Sequence, residues 1–283
     1  MSGVRYVRAA AALSAAAALS LSYLVYESQW LRRVDVDLDV PGLPDPLEGF
    51  TIVQLSDMHI GSPSLNVRVF DKALALTERI APHLVAITGD LVTGRRRLAV
   101  LEDGLRRLSP PYGMYAVLGN HDHGVTKVVR APEVDLEGLA ACGVTLLENT
   151  CVTVPVGKGA SVQICGIDDW AHGYGDLAPA LAVLDRRPAV VRLLLSHYPE
   201  AALATSPDDF ALTLSGDTHG GQICLPWPGG RIMLSQPRAK FRDGLYEAEG
   251  RRVCVTRGIG TSFLPFRLFC RPEIVVLRLV RAA

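Results

Sequence analysis

The sequence predicts an α/β protein preceded by an N-terminal transmembrane helix. Three observations carry this. Short β-branched runs alternate with helix-period segments through the first half, in the order β-α-β-α-β. That order implies parallel strands joined by crossover helices. Turn-separated strands fill the second half, and an uncharged Ala/Leu-rich run occupies Ala9 to Tyr26.

The N-terminal run is preceded by Arg5 and Arg8 and followed by Glu27, Arg32 and Arg33. It is at the short end of the ~17–25 apolar residues that cross a bilayer. A signal-anchor helix is the leading reading. A cleaved signal peptide and an Ala-rich helix buried in the globular part also fit. Arginines on both sides give no orientation. Val40-Pro-Gly-Leu-Pro-Asp-Pro46 reads as a turn-rich linker. An anchor over residues 1–33 and a second domain over 34–283 are therefore expected.

The 283 residues suffice for one large α/β domain or two small ones. Lys plus Arg (29) equals Asp plus Glu (29), so no global field attracts nucleic acid, which argues against a nucleic-acid partner. Cysteines 142, 151, 165, 224, 254 and 270 show no C-x-x-C pair and no disulfide-framework spacing. Most fall in expected strands, where a free Cys is usually a small buried apolar residue.

Taken in order, Thr51 to Leu55 is a buried strand that releases Asp57-Met-His59. Leu65 to Ile80 has helical spacing (Leu65, Val69, Ala73, Leu76, Ile80), stopped by Pro82. Leu84 to Thr88 is a strand ending in Gly89-Asp90, and Leu98 to Leu108 is a helix. Tyr115 to Leu118 is a strand ending in Gly119-Asn-His-Asp122. Glu133 to Cys142 and Leu177 to Leu184 read as short helices. Strands are expected at 145–147, 151–156, 161–165, 190–195, 211–214, 253–256 and 274–280, with a hairpin turn at Gly157-Lys-Gly159. The strand at 190–195 ends in Ser196-His197, and that at 211–214 in Ser215-Gly-Asp-Thr-His-Gly-Gly-Gln222.

Polar residues thus gather at the carboxyl ends of strands, where ligands sit in open α/β sheets. They are Asp57 and His59, Asp90, Asn120 and His121, His197, and Asp217 and His219. Carboxylate, amide oxygen and imidazole without thiolate suit Mn, Fe or Zn rather than a structural zinc knuckle. The set exceeds what one ion needs and is about right for two sharing a carboxylate.

These motifs, in this order, resemble the calcineurin-like metallophosphoesterases. They are Asp57-Met-His59, Gly89-Asp90, Gly119-Asn-His-Asp122, Ser196-His197 and Gly216-Asp-Thr-His-Gly-Gly-Gln222. The resemblance runs from about Leu47 to the C-terminus. With the apolar N-terminus and Arg257-Gly-Ile-Gly-Thr261, Pro265-Phe-Arg267 and Pro272-Glu273, it narrows to the membrane-associated branch. The resemblance implies a four-layer α-β-β-α sandwich and two divalent ions, Mn²⁺ foremost, with Fe, Zn or Mg as alternatives. By this likeness Asp57, His59 and His219 hold the first ion, Asp90 bridges, and Asn120, His197 and Asp217 hold the second. A bridging hydroxide attacks in line, and His121 protonates the leaving oxygen. Asp122 would orient His121. The substrate class implied is a phosphodiester or pyrophosphate, possibly lipid-linked, as in the UDP-2,3-diacylglucosamine hydrolases of lipid A synthesis.

Two positions depart from the family pattern. Asp217 stands where His is usual, which adds negative charge and favours a harder ion such as Mn²⁺ or Mg²⁺. Thr93 stands where Asp is common. A metal-stabilised membrane protein without turnover is the rival reading, and Asp217 gives it weight. Outside the motifs, His83, His172 and His123 read as structural or loop histidines. Asp168-Asp169 reads equally as site rim or turn, Gly220-Gly221 as close backbone approach, and Arg95-Arg-Arg97 as a solvated helix start. Arg257 and Arg267 fit either a phosphate contact or a carboxylate pair. Trp227, between two prolines, reads as packing, with contact to lipid or ligand as the alternative.

Overall fold

The Ala/Leu-rich N-terminus favours helix at almost every position. In the computed structural model, which describes residues 2–94, 97–126 and 136–282, it forms α1 (Ser2–Ser28). The stretch Tyr6–Ser28 is long and apolar enough to cross a membrane. β1 (Arg32–Val40) follows almost at once. Its sequence alternates apolar and charged residues, and Leu38 and Val40 are buried while Asp35, Asp37 and Asp39 face water. The Pro-rich stretch after Val40 is a tight connection to β2 (Thr51–Leu55) that buries Leu43 and Leu47, so it works as a turn within the fold rather than a linker.

The β-α-β-α-β order holds. α2 (Asn66–Ile80) buries Val69, Phe70, Ala73 and Leu74, and ends on Ala81 with φ 48° just before Pro82. β3 (Leu84–Thr88), α3 (Leu98–Leu105), β4 (Met114–Val117) and β5 (Val144–Leu146) follow. α3 stops short of Leu108 because its last residues close into turns (Arg107 N donating to Gly104 O, 3.2 Å) ahead of the Ser109-Pro-Pro111 breaker. The helix expected over Glu133–Cys142 is a 3₁₀ turn at Glu137–Cys142. Residues 133–135, like Arg95 and Arg96, lie outside the described residues.

The second half supplies β6 (Thr150–Gly157), β7 (Ala160–Ile167), α4 (Ala178–Ala182), β8 (Val190–Ser196) and β9 (Leu212–Ser215). A hairpin of β10 (Cys224–Trp227) and β11 (Gly230–Met233), then β12 (Gly244–Ala248), β13 (Arg251–Val255) and β14 (Glu273–Arg281), complete it. The first six-stranded sheet runs β1-β14-β2-β3-β4-β5 and the second β12-β13-β9-β8-β7-β6. β2, β3, β4 and β5 are mutually parallel, as are β7, β8, β9 and β13.

Ile52, Ala86 and Val117 of the first sheet interlock with Ile164, Leu193 and Leu212 of the second. Val53, Leu55 and Ile87 pack outward on Phe70, Leu74 and Leu101 of α2 and α3. Leu194 packs on Leu177 and Ala180 beside α4. The result is α-β-β-α in four layers, in which each fully buried Leu, Ile or Val contributes about 1.5–3 kcal/mol. Cys151 and Cys165, which lie opposite each other on β6 and β7, form a disulfide. Local spacing does not signal it, because the pairing comes from hairpin register. Cys142, Cys224, Cys254 and Cys270 are free and buried.

Candidate active site

Layering brings the carboxyl ends of β2, β3, β4, β8 and β9 to one edge. Gln54 Nε2 ties the two sheets there, donating to Thr88 Oγ1 (3.0 Å) and Ser215 O (2.9 Å). Just beyond the strand ends the chain turns sharply: Asp57, His59, Asp90, Asp217 and His219 take φ of 52°, 45°, 53°, 68° and 51°. Left-handed backbone in non-glycine residues is costly and clusters at functional sites. Gly258 packs over this turn with φ 68°, where a Cβ would lie 2.5 Å from Asp57 Cβ.

Asp57, His59, Asp90 and His219 are all buried, and each offers a ligand atom within 4.8 Å of the others. The Nε2 atoms of His59 and His219 face each other at 3.0 Å. Two imidazole nitrogens aimed at one point suit a shared cation. His197 approaches Asp90 from the second sheet. Its Nδ1–H donates to Thr88 O (2.8 Å), which leaves Nε2 facing Asp90 Oδ2 (3.4 Å) and Asp217 Oδ1 (3.8 Å). Among the described residues, His197 Nε2 and Asp57 Oδ2 are buried without a hydrogen-bond partner. Buried polar atoms are nearly always satisfied, and His197 Nε2 lies against Asp90 and Asp217, where a metal would satisfy it. The donor set therefore fits divalent ions.

The electrostatics follow from crowding. Burial pushes the Asp57 carboxyl up to about 7, although His197 opposes it. Burial pushes His59 down to about 3. Burial also disfavours charge on Asp90, yet the imidazoles of His197, His121 and His59 hold it well below the usual carboxylate range. Burial works against charge on His197 too, but Asp90, Asp57 and Asp217 raise it well above the usual imidazole value.

Asn120, His121 and Asp217 line the same cavity as Asp90 and His219, a space of about 300 Å³. Asn120 Oδ1 accepts from the Tyr198 hydroxyl (3.0 Å) and its Nδ2 donates to Val125 O (2.6 Å). His121 N donates to Asp90 Oδ1 (2.9 Å), and its ring stands edge-on to His59 with centroids 4.5 Å apart.

Asp122 does not reach His121. Its carboxylate accepts from the backbone N–H groups of Leu91, Val92 and Gly119 (3.3, 3.1 and 2.9 Å). Three convergent amides hold it inward, where it clamps the Asp90 loop to the Asn120 loop. The group beside His121 is Thr93, whose Oγ1 lies 3.2 Å from His121 Nδ1 and 2.9 Å from His59 Nδ1.

The chain matches the family model of the calcineurin-like phosphoesterases over residues 50–221. It belongs to that family. The phosphoesterase is 34% identical over 244 residues to an uncharacterized metallophosphoesterase, YkuE, of Bacillus subtilis, spanning 84% of this chain and 81% of that one. It is 30% identical over 285 residues to phosphodiesterase YaeI of Escherichia coli, spanning 98% of each. A transmembrane protein with metallophosphoesterase domain of Danio rerio is 32% identical over 286 residues, covering 96% of this chain and 62% of its own length. These likenesses make the phosphoesterase a phosphoester hydrolase with a divalent-metal site.

The remaining sequence candidates are structural. His83 Nδ1 lies 2.8 Å from Thr51 Oγ1 and its ring stacks on Phe50. His123 stacks on Tyr174 and its Nε2 is 2.7 Å from Asp168 Oδ1, while His172 pairs with Asp169 in a turn. Gln222 braces the segment after Thr261, donating to Leu264 O and accepting from Ser262 N. Arg257 pairs with Asp243 (2.7 Å) and Glu273 (3.4 Å). Arg267 makes no salt bridge to a carboxylate among the described residues and does not line the cavity itself. It is fully buried and donates to the carbonyls of Arg257, His219, Gly260 and Cys270. Trp227 is not packed; it is 64% exposed. Tyr198 was absent from the sequence candidates, although its place next to His197 was the available signal.

Proposed function

We propose that the phosphoesterase is a membrane-anchored enzyme that hydrolyses a phosphodiester or pyrophosphate, lipid-linked, at a two-metal centre. The observation that carries the reading is the buried group Asp57, His59, Asp90 and His219 beside the orphaned His197 Nε2. Asp57, His59 and His219 would hold one ion and Asn120, His197 and Asp217 the other, with Asp90 between them. When bound, the ions supply Lewis acidity and a water of lowered pKa. Asp217 adds an anionic donor, which favours Mn²⁺ or Mg²⁺.

The chain's own residues prepare the proton transfer. With its Nε2 on the metal side, a neutral His59 carries its proton on Nδ1 and donates it to Thr93 Oγ1. The Thr93 hydroxyl then donates to His121 Nδ1. This relay leaves the His121 N–H on Nε2, aimed at the leaving oxygen; as that proton is given up, the Thr93 hydroxyl proton passes to Nδ1 and the His59 Nδ1 proton passes to Thr93. Thr93 thus replaces the carboxylate common in the family as the group that sets the His121 tautomer. The lipid-linked class rests on α1 and on the likeness to a transmembrane relative.

The purified full chain should hydrolyse bis(p-nitrophenyl) phosphate with Mn²⁺. His121→Ala should lose ~10²–10⁴ of the rate while keeping its metal. A metal-loaded wild type inert toward phosphodiesters and pyrophosphates, UDP-2,3-diacylglucosamine included, would sink the reading.

A further inference from the structure

Large exposed apolar side chains lie on the β10–β11 hairpin, at the rim of the pocket and beside the end of α1. In the β10–β11 hairpin, Cys224 pairs with Met233 on the buried side. The other side presents Leu225 paired with Ile232, and Trp227 two residues along, all exposed. A hairpin face in water normally carries polar residues. Phe263, at the pocket rim, is 80% exposed, and Phe269 is exposed as well. Both sit on left-handed backbone, with φ of 55° and 50°. The fold holds two phenyl rings outward against both hydration and backbone preference.

The same face receives α1. Arg267 N donates to Leu24 O (3.3 Å) and Cys270 N to Glu27 Oε1 (2.7 Å). The Arg271 guanidinium lies 3.3 Å from the centre of the Trp30 ring. Between the last turns of α1 and the hairpin runs a cleft of about 330 Å³, lined by Tyr23, Arg32, Pro226, Arg231, Phe269 and Arg271. Arg231 is neutralised by Asp243 (2.7 Å). Arg32 and Arg271 share the cleft with the Glu27 carboxylate, and Arg32 also acts on the buried Glu273, so the cleft carries more cationic than anionic groups. An apolar helix that ends at this cleft sets the level of a headgroup layer. Hairpin, phenyl rings and the two arginines meet it there.

We propose that this face docks on the bilayer that α1 crosses. Leu225, Trp227, Ile232, Phe263 and Phe269 enter the boundary between headgroups and acyl chains, and Arg32 and Arg271 meet headgroup phosphates. Aromatic residues favour that depth, and cations are drawn to an anionic headgroup surface. The catalytic pocket then opens onto the lipid surface, so its substrate is an amphiphilic phosphoester drawn from the membrane rather than a bulk solute. The docking rests on α1 as a span and not on turnover; the substrate class rests on the hydrolase reading.

The test uses the full chain with Trp30→Phe and Trp170→Phe, which leaves Trp227 as its sole indole. It is reconstituted in phosphatidylcholine–phosphatidylglycerol vesicles, with and without lipids brominated near the headgroup end of the acyl chain. An indole ~5–10 Å deep lies within contact of those bromines, and its emission should fall at least about twofold. Water-like, unquenched emission overturns the proposal. So does blue-shifted, unquenched emission, which would place Trp227 against protein, such as a second copy. A nitroxide on Trp227→Cys in the otherwise native chain gives a second readout. Its relaxation should respond more to oxygen than to a water-soluble nickel chelate, and the reverse order overturns the proposal. Neither readout needs catalysis, so an inert enzyme leaves the docking test intact.

Discussion

Arg267 is the largest fully buried side chain in the described molecule. Its guanidinium donates to Arg257 O (2.7 Å), Gly260 O (2.5 Å), His219 O (3.2 Å) and Cys270 O (3.2 Å). It therefore joins the His219 turn, the glycine-rich stretch over Asp57 and the segment that receives α1. Arg267→Met keeps most of the volume and strands those carbonyls. Each stranded buried acceptor costs ~1–3 kcal/mol. Relief from burying a cation offsets part of the sum, and the loss typical of a broken buried charge arrangement is about 3–5 kcal/mol. At ~2–4 °C per kcal/mol for a chain of this size, the apparent Tm should fall by roughly 10 °C. Arg267→Lys should recover little, because an ammonium cannot fork to several carbonyls. Thermal unfolding of the metal-free full chain in detergent measures this, and a metal titration should show weaker binding, since His219 loses its support. A Met variant within about 2 °C of wild type would refute the structural role.

Other expectations follow from the same geometry. A metal must displace the proton that burial holds on Asp57 up to about 7. Affinity should therefore weaken about tenfold per pH unit below 7 and level off above it; a pH-independent titration curve between 5.5 and 8 counts against this. The sign for the metal-free protein is opposite to that of a paired carboxylate. A folded pKa raised from 3.8 to about 7 means that the Asp57 contribution to stability declines as pH climbs through that window. Thr93→Val should lower kcat about tenfold with metal content and KM held, less than the ~10²–10⁴ of the acid–base step itself because His121 remains, and Thr93→Ser should restore it. If Ser and Val variants behave alike, the hydroxyl relay is wrong.

Much of this was legible because strand-end chemistry is local. A β-branched run followed by Asp-x-His, Gly-Asp or Gly-Asn-His marks both the strand and its exit, and parallel order places the exits on one edge. What was missed needs long-range geometry. Thr93 lies between His59 and His121 only because two loops meet, and Asp122 turns to three amides that no spacing rule announces. The strand at Arg32–Val40 was readable from its strict alternation, but the prolines after it drew attention to a linker instead. The β10–β11 hairpin was hidden by Pro226, Pro228 and Gly229-Gly230, which read as loop. Its apolar outward face, including Trp227, could not be told from a buried one without the sheet register.

The central claim is two-metal hydrolysis with Asp217 in the second set. The direct measurement is initial rate against bound Mn²⁺ per chain, with metal content read by elemental mass spectrometry on the same samples. The account expects turnover to rise mainly with the second equivalent, and Asp217→Ala to stop at one ion with little activity. Full activity at a single equivalent, or one tightly held ion and no turnover at any loading, would contradict it.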